Sequence, residues 1–335
     1  RGGDASEAAY LIDGPVVQNA FFSGPPGVST RGRFGAFQFK GVSFSSGGYS
    51  ARYGQALSSV LELNSLDLPE QSTVNLGVNM AGVYASGSKL WKKSGGNATA
   101  YYNNLQPFYG VIKTNVDFYD VPKGYGGSAY YAWQPTKNSL LKVNAAGSQF
   151  KSGIAVPNPF EPDKSIRYDL QNNNYTSAIS FRHNFDTKFT IYAAGGYSYN
   201  KDESAFDTIP GLQQDERMQA RVEGKYYINS RLNLLLGTEL QRFEVENQFG
   251  IYERNFTENM IAGYAELEYT PVYWVAVKPG VRYERSGLLQ QDNIAPRLAL
   301  ALKAGRHGQV SLAGGMFYQL PDYMYLYTVK PYEEG

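Results

Sequence analysis

The sequence of 335 residues contains no cysteine and only two histidines, His183 and His307. Without cysteine there are no disulfides, no thiolate metal sites and no thiol nucleophile. Neither histidine has a second ligand at metal spacing, so no metal centre is expected. No run of about 18 apolar residues occurs, which excludes a transmembrane helix. Thirty-one Lys and Arg against 30 Asp and Glu leave a net charge of +1, and no basic run builds a local field for nucleic acid. Gly-x-Ser-x-Gly, His-Glu-x-x-His and phosphate-loop patterns are missing, and Gly47-Gly48 precedes no helical pattern. Asn97, Asn174 and Asn255 begin Asn-x-Thr triplets, but these fall near strand starts and read as chance matches. The chain therefore reads as a non-enzyme with no cofactor.

What is present is aromatic and glycine-rich: 28 Tyr, 18 Phe and 36 Gly. From about residue 71 onward, apolar residues alternate with polar ones. Met218, Ala220, Val222, Gly224, Tyr226 and Ile228 share one face; Arg217, Gln219, Arg221, Glu223, Lys225 and Tyr227 share the other. The same split recurs from Val275 to Glu284 and from Arg297 to Lys303. Successive strand side chains point to opposite sides, so each segment has an apolar wall and a charged wall. A mean hydropathy of −0.40 resembles that of soluble proteins. Strands that show every second residue to water dilute the apolar signal in the same way.

The alternation places strands near 71–84, 97–105, 109–119, 126–134, 138–150, 173–184, 188–199, 214–228, 231–247, 258–270, 273–285, 294–303 and 308–319. Many run roughly 10–15 residues, longer than the globular norm of about 5–6 and suited to a tilted bilayer crossing. The connections after every second strand are short: 106–108, 134–137, 185–187, 229–230, 271–272 and 304–308. Others, at 85–96, 151–172, 200–213 and 248–257, are longer and more polar. Short turns on one side and long loops on the other are the pattern of an outer-membrane barrel. Tyr and Phe gather near strand ends, as at Tyr101-Tyr102, Phe118-Tyr119 and Tyr273-Trp274, where β-propensity and interfacial girdles predict the same thing. An odd count of thirteen does not close an antiparallel barrel, so the reading expects further strands and further sequence beyond both ends.

The first seventy residues differ in kind. Ala9 to Gly14 reads as a buried strand closed by an Asp-Gly turn. Residues 21–33 form a Gly/Pro-rich loop, 36–44 a second strand, and 60–63 a third. Gly47-Gly48 supplies a tight turn that needs positive φ. These segments resemble a known domain. Arg1-Gly2-Gly3-Asp4, Tyr10-Leu11-Ile12-Asp13-Gly14 and the stretch from Gly47 to Leu61, GGYSARYGQALSSVL, look like the second half of the plug of TonB-dependent outer-membrane receptors of the Bacteroidetes type. Asn293 to Leu300, NIAPRLAL, is similar to that family's Pro-Arg strand, and Met316 to Pro321, MFYQLP, to its aromatic-Gln-x-Pro ending. The chain departs from the family at 41–47, where an Ile-Glu-x-Val-x-Lys-Gly-like strand is usual. It also lacks the Lys-Asp-Ala-x-Ala-like segment of the glycan-importing branch, which works with a surface lipoprotein.

The resemblance implies an all-β membrane protein: a large antiparallel transmembrane β-barrel of about 22 strands, thirteen of them here, around a partial α+β plug. Residues 1–68 would be plug and 69–335 barrel. It implies a receptor of the bacterial outer membrane that imports a scarce ligand such as a siderophore, cobalamin or an oligomeric nutrient. Its partners would be TonB with the inner-membrane energising complex, outer-membrane lipid, that ligand and, optionally, a surface lipoprotein. The alternative is a non-transporting barrel in an envelope assembly, or a passive porin. Plug motif residues would be Asp13, Gly14, Gly47, Gly48, Tyr53 and Gly54. The lumen wall would carry Glu239, Gln241, Glu266, Glu268, Arg282, Glu284 and Arg297, with Arg1 and Arg52 of the plug expected to pair with its carboxylates, Arg1 with Glu239 in particular.

Overall fold

In the computed structural model, the placement of apolar side chains decides what kind of β protein this is. The structure describes residues 7–25, 32–34, 39–112, 114–158, 161, 163–306 and 308–321. Strand β11 (Ile209–Asn229) turns Met218, Val222 and Tyr226 outward at 53%, 46% and 45% exposure, whereas Arg221 and Glu223 are buried at 4% and 2%. Leu236, Leu240, Ile261, Val281, Ile294 and Leu298 likewise face out, while Glu239, Glu266, Arg282, Glu284 and Arg297 face in. A soluble sandwich buries the opposite set. An apolar outer wall and a polar inner one suit a sheet whose outside meets hydrocarbon. The stretch from Met218 to Tyr226, at about 3.3 Å per residue and a tilt of about 40°, stands about 20 Å tall, which fits within the roughly 25 Å apolar band of membrane barrels.

The large sheet has thirteen antiparallel strands, each paired to its chain neighbours. They are β4 (Thr73–Asn79), β5 (Gly82–Leu90), β6 (Ser94–Asn104), β7 (Asp117–Trp133), β8 (Ser139–Pro157), β9 (Ser165–Asn184), β10 (Phe189–Phe206), β11, β12 (Leu232–Phe249), β13 (Tyr252–Val272), β14 (Val275–Ser286), β15 (Gln291–Ala304) and β16 (Gly308–Gly315). Among the described residues, β4 and β16 are its unpaired edges. A second, mixed sheet is built from the N-terminal region: β1 (Ala8–Ile12) runs parallel to β3 (Ser59–Ser65), and β2 (Phe39–Ser45) lies antiparallel on the other side of β3. Its core of Ala9, Leu11, Tyr49, Ala56 and Val60 packs beneath the turn that begins at Gly47.

The count of thirteen strands matches the expectation, but through two compensating differences. Residues 71–84 are two strands, β4 and β5, joined at Met80-Ala81, where Asn79 Oδ1 accepts the Ala81 N–H at 2.8 Å. Val78 pairs with Val83, five positions on, so the alternation changes phase at the turn; Met80 and Tyr84 continue the even-numbered series and hide the change. Conversely, of the expected strand 109–119 only 117–119 are extended, and they run on into 126–133 as one strand, β7, whereas 109–111 end a helical turn, α1 (Gln106–Val111), with Pro107 in its first turn. The expected short turn at 106–108 is thus the start of a longer connection, and the expected long loop at 85–96 is strand β5 and a tight turn.

Two other expected loops are also strand. Residues 200–213 and 248–257 continue β10 into β11 and β12 into β13, each closed by a two-residue turn in which Asp207 (φ 51°) or Gly250 (φ 59°) is left-handed. These segments look loop-like in sequence because beyond the apolar band both faces of a strand meet water. The sorting of the two ends persists in another form: turns at one end stay short, while strands at the other end project further. Residues 1–6, His307 and 322–335, on which several expectations fell, lie outside the described residues.

Candidate functional site: the charged face between the two sheets

The site is a layer of buried polar groups where the small sheet meets the inner wall of the large one. Two turns of the small domain deliver it. The first follows β1: Asp13 and Gly14 adopt φ of 48° and 102°, which glycine tolerates and which brings the Asp13 carboxylate inward. That carboxylate accepts from the Ser65 N–H at 3.0 Å, Lys142 Nζ at 3.0 Å and Asn144 Nδ2 at 3.1 Å, and Tyr192 donates its hydroxyl to the Asp13 carbonyl. The buried acid is therefore paired and hydrogen-bonded, as a buried charge must be.

The second turn runs from Gly47 to Gln55. Gly47 and Gly48 have φ of 147° and 61°. Arg52 reaches to Glu223 on β11, its Nε 3.2 Å from Oε1, and Tyr264 donates to the same oxygen at 2.6 Å. The Ala51 N–H donates to Glu266 at 2.8 Å, Gln55 Nε2 to Glu284 at 3.1 Å, and Arg297 Nη1 to the carbonyls of Ser50 at 2.7 Å and Tyr53 at 2.8 Å. Gly54 sits so close to the wall that an added Cβ would fall 2.0 Å from Glu284 Oε1 and 2.5 Å from Arg282 Nε. Tyr53 lies the other way and donates to Glu62 within the small sheet at 2.6 Å.

The wall carries its own network behind this contact. Glu239, 2% exposed, accepts from Arg221 Nη2 at 2.7 Å and Gln219 Nε2 at 2.8 Å, with Arg282 Nη2 at 3.6 Å. Glu268 pairs with Lys225 at 2.8 Å and Lys278 at 3.3 Å, and Lys278 also holds Glu266 at 2.9 Å. Of the carboxylates expected to meet the small domain, Glu266 does so directly through a backbone amide. Glu239 and Glu268 instead meet cations of the wall, and Arg52 meets Glu223. Arg1 lies outside the described residues. Glu223, Arg221 and Lys142 were not singled out in the sequence; the legible signal for the first two was their place on the charged face of β11.

Shape reinforces charge. Wall glycines make notches for the small domain: a Cβ on Gly196 would fall 2.4 Å from Pro15 Cβ, and one on Gly280 would fall 3.0 Å from Ala51 Cβ. On the other side, a polar cavity of about 240 Å³ remains between β3 and the wall, bordered by Asp13, Arg52, Glu62, Lys142, Arg182 and Glu223. Burial raises the Tyr49 hydroxyl to about 12, more than the nearby Arg297 charge lowers it. Burial alone would lower the Arg52 guanidinium, but Glu223 outweighs it and holds it above its ordinary value. Tyr49 therefore stays neutral and Arg52 charged across the physiological range. The layer joins the small sheet to the inner wall through hydrogen bonds and ion pairs.

No family model matches the sequence, and comparison with curated proteins by sequence finds no match. Solved structures do match in fold. The siderophore receptor PirA from Pseudomonas aeruginosa superposes with a TM-score of 0.67 at 14% identity, covering 95% of this chain and 55% of that one. A variant of the ferric enterobactin receptor PfeA from the same organism gives 0.65 at 13%, covering 94% and 55%. The outer membrane transporter YddB from Escherichia coli gives 0.60 at 12%, covering 89% and 51%. The chain spans about half the length of these receptors and transporters. Over that stretch, it has the fold of the TonB-dependent outer-membrane receptors.

Proposed function

We propose that the chain forms part of an energised importer of the bacterial outer membrane, with residues 1–68 as plug and 69–335 as barrel wall. The observation that carries this reading is the occupied inner face: a charged wall that would line an open pore in a passive porin is covered by a small domain through exchangeable polar contacts. Ligand would bind from outside, TonB would pull on the plug from the periplasm, and the pairs from Arg52, Glu266 and their neighbours would trade partners with water as the plug moves. Arg1 would add a contact to Glu239, which an Arg1→Ala, Glu239→Ala double-mutant cycle tests. No catalytic role is assigned. Among candidate cargoes a ferric siderophore stands first, supported by the match to PirA and PfeA, ahead of cobalamin or an oligomeric nutrient. Cells expressing the whole receptor should accumulate a panel of ferric siderophores, and the uptake should collapse when a protonophore dissipates the proton-motive force. Uptake that survives the protonophore would sink the reading.

A further inference from the structure

The net charge of +1 conceals a separation of charge along the strand direction of the large sheet. At the end with short turns, the residues between strands are 91–93, 134–138, 185–188, 230–231, 273–274 and 305–307. They contain six cations, Lys92, Lys93, Lys137, Lys188, Arg231 and Arg306, against one acid, Asp186. At the other end the connections 80–81, 105–116, 158–164, 207–208, 250–251 and 287–290 contain three acids and two lysines, and Lys164 there pairs with Glu161. Five of the six short turns carry a cation.

All six cations are exposed, and among the described residues none has an ion-pair partner. Lys93 donates to the Pro135 carbonyl at 3.0 Å and Arg231 to the Pro271 carbonyl at 3.1 Å. These neutral acceptors hold the two heads at the rim and leave their charge and further donors available. Asp186 turns its carboxylate to the N–H groups of Lys188 and Phe189, at 2.7 and 2.8 Å. The linker meets this rim where Pro69 lies against Gly95. It brings exposed Glu70 and also Asp67, which Lys40 and Lys142 hold. Adjacent short turns are two strands apart, about 10 Å, which is close to the Debye length of about 10 Å at 0.1 M salt. Their fields therefore overlap.

The aromatic side chains say what these charges face. All three tryptophans of the chain, Trp91, Trp133 and Trp274, stand exposed on this rim, joined by Phe185 and Tyr273. Tryptophan and tyrosine settle at the boundary between hydrocarbon and water. Trp91 immediately precedes Lys92 and Lys93, and Trp133 and Phe185 come just before Lys137 and Lys188. Cations one step beyond such rings stand at the level of lipid headgroups, with stems that can lie along the boundary. The negative groups at that level are phosphates.

We infer that the short-turn rim is a docking surface for anionic phospholipids, which it gathers from a mixed leaflet around the wall. The inference rests on reading the outer wall as facing lipid. Each turn offers an ammonium or a guanidinium to phosphate oxygens, and charge-assisted hydrogen bonds of this kind are the strong ones.

The test uses the whole receptor in vesicles of phosphatidylcholine with a minority of phosphatidylglycerol, one or the other carrying brominated chains that quench tryptophan. The signal of Trp91 is the difference between the parent and Trp91→Phe. Per mole of brominated lipid, phosphatidylglycerol should quench it at least about threefold more strongly, since each cation near the surface adds to the attraction for anionic lipid. Lys92→Gln combined with Lys93→Gln should bring this ratio toward one. Salt at about 1 M should do the same to the parent, by screening the charges without altering the chain. Equal quenching by the two lipids, or a preference that survives either treatment unchanged, overturns the inference and leaves the cations to solvent or to an acidic protein. Quenching of Trp91 by neither lipid overturns it together with the lipid-facing wall. The assay involves neither TonB nor uptake, so its failure is separable from failure of the importer reading.

Discussion

Arg52 of the small domain and Glu223 of β11 form an ion pair whose two ends are unequally buried, the arginine side chain 29% exposed and the carboxylate 2%. Removing the arginine strands the acid with only the Tyr264 hydroxyl and a more distant Arg221, 3.9 Å away. Breaking a fully buried pair costs about 3–5 kcal/mol; partial exposure and the remaining donors bring the expectation for Arg52→Ala to about 2 kcal/mol. A double-mutant cycle with Glu223→Gln, read by denaturant unfolding of the small domain, should return a coupling of at least about 1 kcal/mol. Additive losses would show that the pair does not hold the domains together.

Gly54 and Gly47 are both glycines of one turn, and their substitutions should fail for different reasons. At Gly54 an added methyl overlaps the Glu284 carboxylate and the Arg282 guanidinium, so Gly54→Ala should weaken docking by about 1–3 kcal/mol through overpacking. At Gly47 nothing lies within 4 Å, but φ is 147°, so Gly47→Ala should cost about 1–3 kcal/mol in backbone strain. Shortening Glu284 to alanine should rescue the first variant in a thermal melt and leave the second unchanged.

The outward wall makes a third expectation. Val222 is half-exposed near the middle of the apolar band of β11, between Tyr226 and Met218. Val222→Arg should reduce folding stability in lipid vesicles by about 2–4 kcal/mol, the cost of placing that charge near a bilayer midplane. Val222→Leu should be close to neutral. If the arginine variant folds as well as the parent, the outer face does not meet hydrocarbon.

A fourth concerns acid. Burial raises the Asp67 carboxyl, but the hydrogen bond from Lys40 and the charge of Lys142 outweigh this and hold it below its ordinary range. A depressed carboxylate contributes stability above its unfolded pKa of about 3.9 and loses it as pH falls through the folded value. The side chain is 40% exposed, which limits the contribution to about 0.5 kcal/mol. Asp67→Asn should therefore flatten the acid limb of a stability–pH curve below about pH 4 and change little at neutrality. An unchanged acid limb would place the pairing in solvent only.

The sequence made the alternation of β8–β15 legible because each strand keeps one face in each environment for many residues. It failed where that contrast lapses. The β4–β5 turn shifts the alternation by one between Val78 and Val83, but Met80 and Tyr84 carry the earlier phase on and mask the shift. The projecting ends of β10 to β13 are polar on both faces and read as loop. At the site, parity placed Arg282, Glu284 and Arg297 on the inner face. Which of them touches the small domain depends on the height at which that domain sits, and alternation carries no information about height. Arg297 stacks on Phe317, and Leu320 donates its N–H to Gln55 Oε1. The likeness to a family motif drew attention to MFYQLP, but only the fold gives that segment a neighbour.

The notches at Gly196 and Gly280 bear on that height. Each receives one residue of the small domain, Pro15 or Ala51, and inner-face positions recur every second residue along a strand. Raising or lowering the domain by one such step would set Pro15 against Ser198 or Ala194 and Ala51 against Arg282 or Lys278, none of which leaves room. The wall is thus a ruler with marks at two places. A chimera that grafts this domain into another barrel would have to carry those two glycines with it at the same level, however well the charges matched.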